Sequence, residues 1–186
     1  MSIKKQTWLV SAIVLLALVV DQVSKVYIKT HFELGEAREV FSWFWIAFVE
    51  NNGMAFGIEW FSKLLLTLFR IVAVGVIAWY IHIMIHKQQV RIGYLTTIAM
   101  VIAGALGNII DCVFYGKIWG YADWFHGRVV DMLYFPLIRN AAGECVFFQP
   151  VFNIADSFIT VAVFLIILFY RKDLDDSLNQ IFPKKS

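Results

Sequence analysis

Four aspartates lie in or beside the most apolar parts of the chain: Asp21, Asp111, Asp131 and Asp156. A carboxylate among apolar residues is costly, so such a residue usually faces a watery cavity or a partner group and indicates a functional site. Two carboxyls that lie close together cannot both ionise easily, and one keeps a proton. The ionised carboxylate can then take a proton from water while the protonated one polarises a carbonyl oxygen. These residues therefore favour the chemistry of aspartic proteolysis.

The chain contains few residues suited to thiol, metal-dependent or serine catalysis. Neither of the two cysteines, Cys112 and Cys145, belongs to a CxxC motif, and the four histidines form no HExxH or other ligand cluster. Ser24 and Ser157 have no histidine in an obvious place beside them, as a serine hydrolase requires. We therefore expect no metal and no cofactor, and a single bridge between the two cysteines stays open.

Membrane spans must position these residues. Hydrophobic residues make up 60% of the 186-residue chain, whereas soluble domains average about 45–50%. Apolar runs of membrane length, about 20 residues, occur four times. They cover roughly 8–28, 64–85, 92–114 and 152–170.

The first apolar run is interpreted as a retained span. It is longer than the apolar region of a signal peptide, and no small-residue cleavage site follows it. The four runs leave no room for a separate soluble domain, so we predict one membrane domain over residues 1–186. The net charge of +2 and the lack of a basic stripe argue against a nucleic-acid partner.

Basic residues predict the orientation of the spans. Lys4 and Lys5 precede the first run, the turn "HKQQVR" joins the second and third runs, and "RK" follows the fourth. The two longer connections, 29–63 and 115–151, hold few basic residues for their length. We therefore expect both termini to be cytoplasmic and both long connections to lie outside.

With this orientation, the polar residues of the spans converge at their outer ends. "DQVSK" (Asp21–Lys25) ends the first span, "GNIID" (Gly107–Asp111) ends the third, and Asn153 and Asp156 lie where the fourth begins. Such agreement between segments indicates a single polar site at the outer leaflet. The inner halves carry few ionisable groups, of which the clearest lie in or near the second span: Arg70, His82 and His86.

Purely structural explanations exist for several of these residues. Asp21 and Lys25 are four residues apart on one helix face and can form a simple ion pair. Asp111 can pair with Lys25 or with Arg128, and Asp131 can be a loop acid beside Arg128.

A structural explanation also exists for two asparagines, but hardly for the remaining aspartate. Asn108 and Asn153 can serve only to join helices by hydrogen bonds. Asp156 is hardest to explain structurally, because the helix dipole offsets only a fraction of the cost of burying a carboxylate in the first turn.

Two other classes of protein also place acids in a membrane. A transporter or channel uses them as an ion relay, which predicts polar residues through the whole membrane depth. A non-catalytic scaffold uses them to join helices, which predicts that Asp→Asn substitutions are tolerated. The concentration of polar residues at one end argues against the transporter, while the scaffold differs from an enzyme only in its activity.

The first outer connection contains an unusual aromatic segment around Phe41–Val49. Its aromatic and β-branched residues permit short strands. Aromatic rings also favour the membrane–water interface, so the segment is either an aromatic belt or a platform for a lipid-bearing substrate.

In five ordered blocks the chain resembles lipoprotein signal peptidase, also called signal peptidase II, an aspartic peptidase family. Each block alone is weak, but their order against four spans is specific and covers nearly the whole chain. The blocks are "DQVSK" (Asp21–Lys25), "NNGMAFG" (Asn51–Gly57), "GALGNIID" (Gly104–Asp111), "GRVVDM" (Gly127–Met132) and "FNIADSFI" (Phe152–Ile159).

The resemblance implies a four-helix membrane bundle with a small extracytoplasmic β-cradle and a short outer helix. It implies an endopeptidase of the bacterial cytoplasmic membrane that cleaves diacylglyceryl-modified prolipoproteins just before the lipidated cysteine. Membrane lipids would be its other partners, and we expect a monomer. The resemblance implies Asp131 and Asp156 as the catalytic dyad. The supporting polar residues that it implies are Asp21, Lys25, Asn51, Asn108, Asp111, Arg128 and Asn153.

The chain departs from the family pattern in two places. Cys112 stands where the family's third block usually continues with arginine, and Arg128 and Lys117 are the candidates to replace that cation. The connection between Asp111 and Asp131 is also longer than is common, which predicts a larger outer lid.

Overall fold

Within residues 1–52, 63–87, 90–139, 145–147 and 150–183, which the computed structural model describes, four helices are long and apolar enough to cross a membrane. They overlap the four predicted runs, and each extends beyond its run at one end or both, because helical hydrogen bonding continues past the apolar residues into polar ends. The fourth begins two residues later than predicted, since Phe152 lies in a strand and Asn153 caps the helix. The spans are Ile3–His31, Lys63–His86, Ile92–Ile118 and Ile154–Ile181.

The third and fourth spans each contain a π-helical turn. The helices are α1 (Ile3–His31), α2 (Lys63–Lys87), α3 (Ile92–Ile110), α4 (Gly116–Ile118), α5 (Ile154–Leu165) and α6 (Arg171–Ile181). The π turn Asp111–Tyr115 joins α3 to α4, and the π turn Ile166–Tyr170 joins α5 to α6.

Short antiparallel strands fill much of the two long connections. The strands are β1 (Ala37–Phe41), β2 (Phe44–Asn51), β3 (Val129–Tyr134), β4 (Ile138–Arg139), β5 (Cys145–Phe147) and β6 (Val151–Phe152). Four of them form a sheet in the order β1-β2-β3-β6, and β4 pairs with β5. The aromatic segment thus forms the β1–β2 hairpin, so the predicted strands are present.

The four-stranded sheet lies at the end of the bundle where α1 ends and α5 begins, which we call the sheet end. Here Ile28 of α1, Phe48 of β2 and Val130 of β3 pack in one apolar cluster, which closes the sheet onto the helices. A second cluster joins α2 to α3 at the opposite end, around Met84 and Leu95.

Helix α3 is the central helix and packs against α1, α2 and α5. Glycines allow this close approach: a Cβ at Gly104 would meet the backbone of Ala155, and one at Gly107 would meet Asp21. Small residues at such contacts are typical of helices in membranes. The other spans expose apolar side chains such as Leu16 and Phe69, as a lipid environment requires.

The π turn after α3 anchors the chain that leads to β3. Its wider turn leaves the carbonyls of Cys112 and Val113 available, and they accept hydrogen bonds from the backbone N–H groups of Gly127 and Phe125. Gly127 can approach this turn closely because it has no side chain, and a Cβ there would overlap the carbonyl of Asp111. The start of β3 is thereby held beside the end of α3.

A short outer helix separate from the spans is not seen in the described parts of the connections, and residues 53–62 lie outside them, so that helix stays a prediction. The bridge between Cys112 and Cys145 that the sequence left open is not formed in this structure.

Candidate active site

Asp131 and Asp156 approach each other from different elements at the sheet end. Asp131 lies in β3 opposite Val49 of β2 and is 2% exposed. Asp156 lies in the first turn of α5 and is half-buried. The more exposed carboxyl, Asp156, therefore offers the accessible side of the pair.

Asn153 ties the two carboxyls together. Its side-chain amide donates to Asp131 Oδ1 at 2.7 Å, while its Oδ1 accepts from the backbone N–H of Asp156 at 2.9 Å. The second interaction belongs to a capping box that begins α5, in which the carboxylate of Asp156 accepts in turn from the backbone N–H of Asn153. A residue that starts the helix therefore also positions the two carboxyls of the predicted dyad.

Asn108 donates a hydrogen bond to the carboxyl of Asp156, and Lys25 determines the orientation of the Asn108 side chain. Lys25 Nζ donates to Asn108 Oδ1 at 3.1 Å, and Asn108 Nδ2 donates to Asp156 Oδ1 at 2.7 Å. Because lysine can only donate, Asn108 must turn its oxygen toward Lys25 and its NH₂ group toward Asp156. Asn108 Oδ1 also accepts from Asn153 Nδ2 at 3.1 Å, which completes the network.

A buried ion triad supports this network. Lys25 Nζ contacts Asp21 Oδ2 at 2.9 Å and Asp111 Oδ2 at 2.8 Å, and all three side chains are almost wholly inaccessible. Asp21 Oδ1 accepts from the backbone N–H of Ala155 at 2.9 Å, and Asp111 Oδ2 from that of Val130 at 3.3 Å. The triad thus contacts the residue before each dyad aspartate.

Asp131, the carboxyl of the pair that lies in the sheet, has an unusually high pKa. Burial, and then the nearby Asp156 carboxylate, raise the pKa of Asp131 from 3.8 to about 7. Hydrogen bonds from Asn51 and Asn153 to the Asp131 carboxylate oppose the increase in this pKa. Near neutral pH this carboxyl can therefore hold or release a proton, as general acid–base chemistry requires.

Sequence reasoning missed one member of the network, Gln22. Its Nε2 lies 2.9 Å from Asp111 Oδ1 and 3.1 Å from Asp21 Oδ2, and its Oε1 accepts from Tyr115 at 3.1 Å. A signal existed, since Gln22 is a polar residue at the outer end of an apolar run, directly beside Asp21. It bridges the two acids of the triad.

Arg128 is the predicted supporting residue that lies apart from the network. Its guanidinium pairs with Glu50 at 2.8 Å and is 44% exposed, and Glu50 also pairs with Lys29. Asn51, the next residue of β2, donates to Asp131 Oδ2 at 3.1 Å. Arg128 therefore holds the strand that carries Asn51 and does not contact the dyad itself. Of the block that contains Asn51, residues 53–57 lie outside the described part.

The cation beside Cys112 comes from an element that sequence reasoning did not propose. Arg70 of α2 donates from Nη1 to Cys112 Sγ at 3.2 Å. Lys117 instead lies 3.7 Å from the exposed Asp123, and Arg128 pairs with Glu50 as described. The sequence feature that could have indicated Arg70 is its charge within an apolar run. The expectation that Arg70 lies in the inner half of its span is wrong, since it lies seven residues after the start of α2, in the half nearer the sheet end.

No group of three or more histidine, cysteine or acidic side chains is arranged to hold a metal ion among the residues that the structure describes. What the fold and site define is a multi-pass membrane protein with a carboxyl pair held by amide groups, an arrangement suited to aspartic peptidase chemistry.

Comparison with known proteins identifies the family. The signal peptidase II family model matches residues 13–171. Lipoprotein signal peptidase of Porphyromonas gingivalis is 45% identical, with 88% of this chain and 83% of the relative covered. The corresponding protein of Amoebophilus asiaticus is 35% identical, with 95% and 83% covered.

Solved structures agree with this assignment. A bacterial membrane enzyme determined at 2.3 Å resolution by the in meso method has a TM-score of 0.66 and 30% identity, and the match covers 95% of this chain and 93% of that one. A second, at 1.9 Å, has a TM-score of 0.62 and 32% identity, with 86% and 90% covered. The chain belongs to the signal peptidase II family. The predictions of this family, of a membrane bundle with a small sheet and of an aspartic peptidase are confirmed.

Proposed function

We propose that Asp131 and Asp156 are the catalytic dyad with which this member of the signal peptidase II family cleaves lipoprotein signal peptides. The observation that carries the proposal is the shared amide network. Asn153 donates to Asp131 Oδ1 at 2.7 Å, and Asn108 donates to Asp156 Oδ1 at 2.7 Å. Asn108 and Asn153 are themselves hydrogen-bonded, so the two carboxyls are held as one unit.

The dyad supplies the proton transfers of peptide hydrolysis. With one proton shared, the ionised carboxylate takes a proton from water, and the hydroxyl oxygen bonds to the carbonyl carbon of the cleaved peptide bond. The protonated carboxyl gives its proton to the carbonyl oxygen. When the tetrahedral intermediate collapses, one of its hydroxyl groups returns its proton to the carboxylate as the C=O bond re-forms. The C–N bond breaks, and the leaving amine takes a proton from the other carboxyl. One proton again remains on the carboxyl pair, so the enzyme is restored.

The remaining polar residues position the dyad. Lys25 sets the orientation of Asn108, and Asp21 and Asp111 neutralise the lysine charge in a buried setting. Asn51 donates to the second oxygen of Asp131. Preorganised donors of this kind need no rearrangement when charge shifts during the reaction.

The substrate is a prolipoprotein that carries a diacylglyceryl group on the cysteine just after the cleaved bond. This chain is a multi-pass protein of the bacterial inner membrane. Its basic inner segments support cytoplasmic termini and a dyad at the outer leaflet. There the acyl chains of the substrate stay in the bilayer while the cleaved bond reaches the carboxyl pair, and the enzyme acts as a monomer.

The test is cleavage of a diacylglyceryl-modified prolipoprotein by purified protein. Asp131→Asn and Asp156→Asn should each lower turnover by roughly 100-fold or more, since each removes one proton-transfer group. The matched control is Asp123→Asn, which alters an 87%-exposed acid. If either dyad variant inserts into the membrane and cleaves as fast as the unaltered protein, the dyad assignment is wrong.

A further inference from the structure

Arg70 is an intramembrane cation without an acidic partner in the parts of the chain that the structure describes. It lies seven residues after the first residue of α2, which places it about 10 Å along the helix. The side chain is half-buried, and its hydrogen bond runs to the Cys112 thiol at 3.2 Å. A guanidinium has five N–H donors, and a thiol is a weak acceptor. Among the residues that the structure describes, most of the donor capacity of Arg70 therefore has no acceptor.

The nearby acid is already engaged elsewhere. Asp111 precedes Cys112, yet its carboxylate accepts from Lys25 and Gln22 and from the backbone of Val130. The arginine thus lies beside a filled network and does not complete it. Charge pairing within the described ranges therefore does not explain why Arg70 lies here.

The face of α2 that carries Arg70 runs along the site. Lys63 and Thr67 precede Arg70 by seven and three residues, so the three share one side of the helix. Lys63 Nζ donates to Asn52 Oδ1 at 3.3 Å, and the neighbouring Asn51 donates to Asp131. Deeper in the membrane, Arg70 on the same face of α2 contacts Cys112, which follows Asp111 in the chain. Arg70 therefore lies at the membrane side of the dyad.

The substrate presents hydrogen-bond acceptors at this depth. A signal peptide that crosses the bilayer as a helix must end near the cleaved bond, where its last four carbonyl groups have no helical partner. Unpaired carbonyls are costly in lipid, and the end of a helix carries partial negative charge. A planar guanidinium that reaches these carbonyls from a neighbouring helix donates hydrogen bonds to them and offsets their partial negative charge.

We infer that Arg70 is a substrate-binding residue that donates to backbone carbonyl oxygens at the end of the substrate's signal helix, just before the cleaved bond. This inference rests on the proposed function. It makes Arg70 a binding residue rather than a member of the dyad, so its loss should weaken substrate binding more than the chemical step.

The test compares kinetics of Arg70→Met and Cys112→Ala on a diacylglyceryl-modified prolipoprotein in phospholipid-free detergent. Arg70→Met should raise KM roughly tenfold, the factor expected for one charge-assisted hydrogen bond, with kcat changed less than about threefold. Cys112→Ala removes the same internal contact but leaves the guanidinium in place, so its KM should stay within about twofold of the unaltered value. Arg91→Met is the matched control, since Arg91 pairs with Asp173 far from the sheet end.

Several outcomes would overturn the inference. An unchanged KM in Arg70→Met, or an equal loss in Cys112→Ala, leaves Arg70 with a structural role. An increase in KM that occurs only when anionic phospholipid is added makes a lipid phosphate the ligand instead. If Arg70→Met does not fold, Arg70→Lys is measured, where a raised KM at an unchanged melting temperature supports the inference and an unchanged KM overturns it. If the unaltered protein fails to cleave, the proposed function falls and this inference with it; if it cleaves, only the inference is at stake.

Discussion

Asn153 donates from its side-chain amide to Asp131 Oδ1 at 2.7 Å, although the two residues belong to a helix cap and a strand. The same side chain accepts from the backbone of Asp156. One asparagine thus begins α5 and joins both carboxyls of the proposed dyad. Because each amide hydrogen and the amide oxygen has a partner, the side chain has one favourable orientation.

Removal of the Asn153 amide should separate these two roles. Asn153→Ser keeps a good helix cap but loses the donor to Asp131, whereas Asn153→Ala loses both. Asn153→Ala should lower the free energy of unfolding by about 1 kcal/mol, with a much smaller change in Asn153→Ser. Both should raise the pKa of Asp131 further, because a donor that stabilises its ionised form is gone. Thermal melting and pH–rate profiles measure the two effects, and equal melting of the two variants would contradict the capping role.

Activity should decline as the pH rises above neutrality. The pKa of Asp131 lies near 7, raised mainly by burial and also by Asp156. Above this value the dyad loses the shared proton that polarises the carbonyl, so kcat/KM should fall tenfold for each further pH unit. A profile measured from pH 5 to pH 9 checks this, and a rate that keeps increasing through pH 9 would exclude Asp131 as the group that must be protonated.

Stability should follow the same titration with a defined sign. The folded-state pKa of Asp131 lies above its unfolded value of 3.8, so the folded protein binds this proton more tightly. The contribution of Asp131 to stability is therefore fully present below about pH 4 and is lost as the pH rises to about 7. Asp131→Asn should remove this component from melting curves measured across that range. A pH dependence that is identical in the variant would contradict the assignment.

Replacement of Lys25 should be strongly destabilising. Lys25→Met leaves Asp21 and Asp111 buried without their cation and releases the Asn108 oxygen that sets the orientation at Asp156. Breaking a buried ion pair in this way costs about 3–5 kcal/mol. Thermal unfolding in detergent measures the loss, with Lys117→Met as the control, since that lysine is 56% exposed and its acid is 3.7 Å away. Similar melting temperatures for the two variants would show that the triad contributes little.

Helix packing gives a prediction that does not involve charge. In Gly107→Ala the new Cβ would lie 2.6 Å from Asp21 Oδ2 and 3.1 Å from Ala155 Cβ, so α1 or α5 must move. Overpacking of this kind costs about 1–3 kcal/mol, and the displaced network should also reduce turnover. Gly75→Ala is the matched control, because nothing lies within 4 Å of its added Cβ. Equal stability of the two variants would mean that the α1–α3–α5 contact is more adaptable than the structure indicates.

Much of this architecture follows from the sequence alone. Apolar runs of membrane length determine four helices, because the backbone in lipid must satisfy its hydrogen bonds within each segment. The positions of Asp21 and Lys25 on one helix face are equally predictable, since a spacing of four residues places them together in any helix. The convergence of acids and amides at one end follows from the alternating direction of the spans.

Only the tertiary structure decides which polar groups meet. Asp111 pairs with Lys25 although Arg128 is also close in the chain, because the third helix packs against the first while Glu50 holds Arg128 at the strand. Arg70 meets Cys112 across a gap of 42 residues, which no local pattern records. Hydrogen bonds between elements depend on how the helices approach and rotate, and those are properties of packing rather than of spacing along the chain.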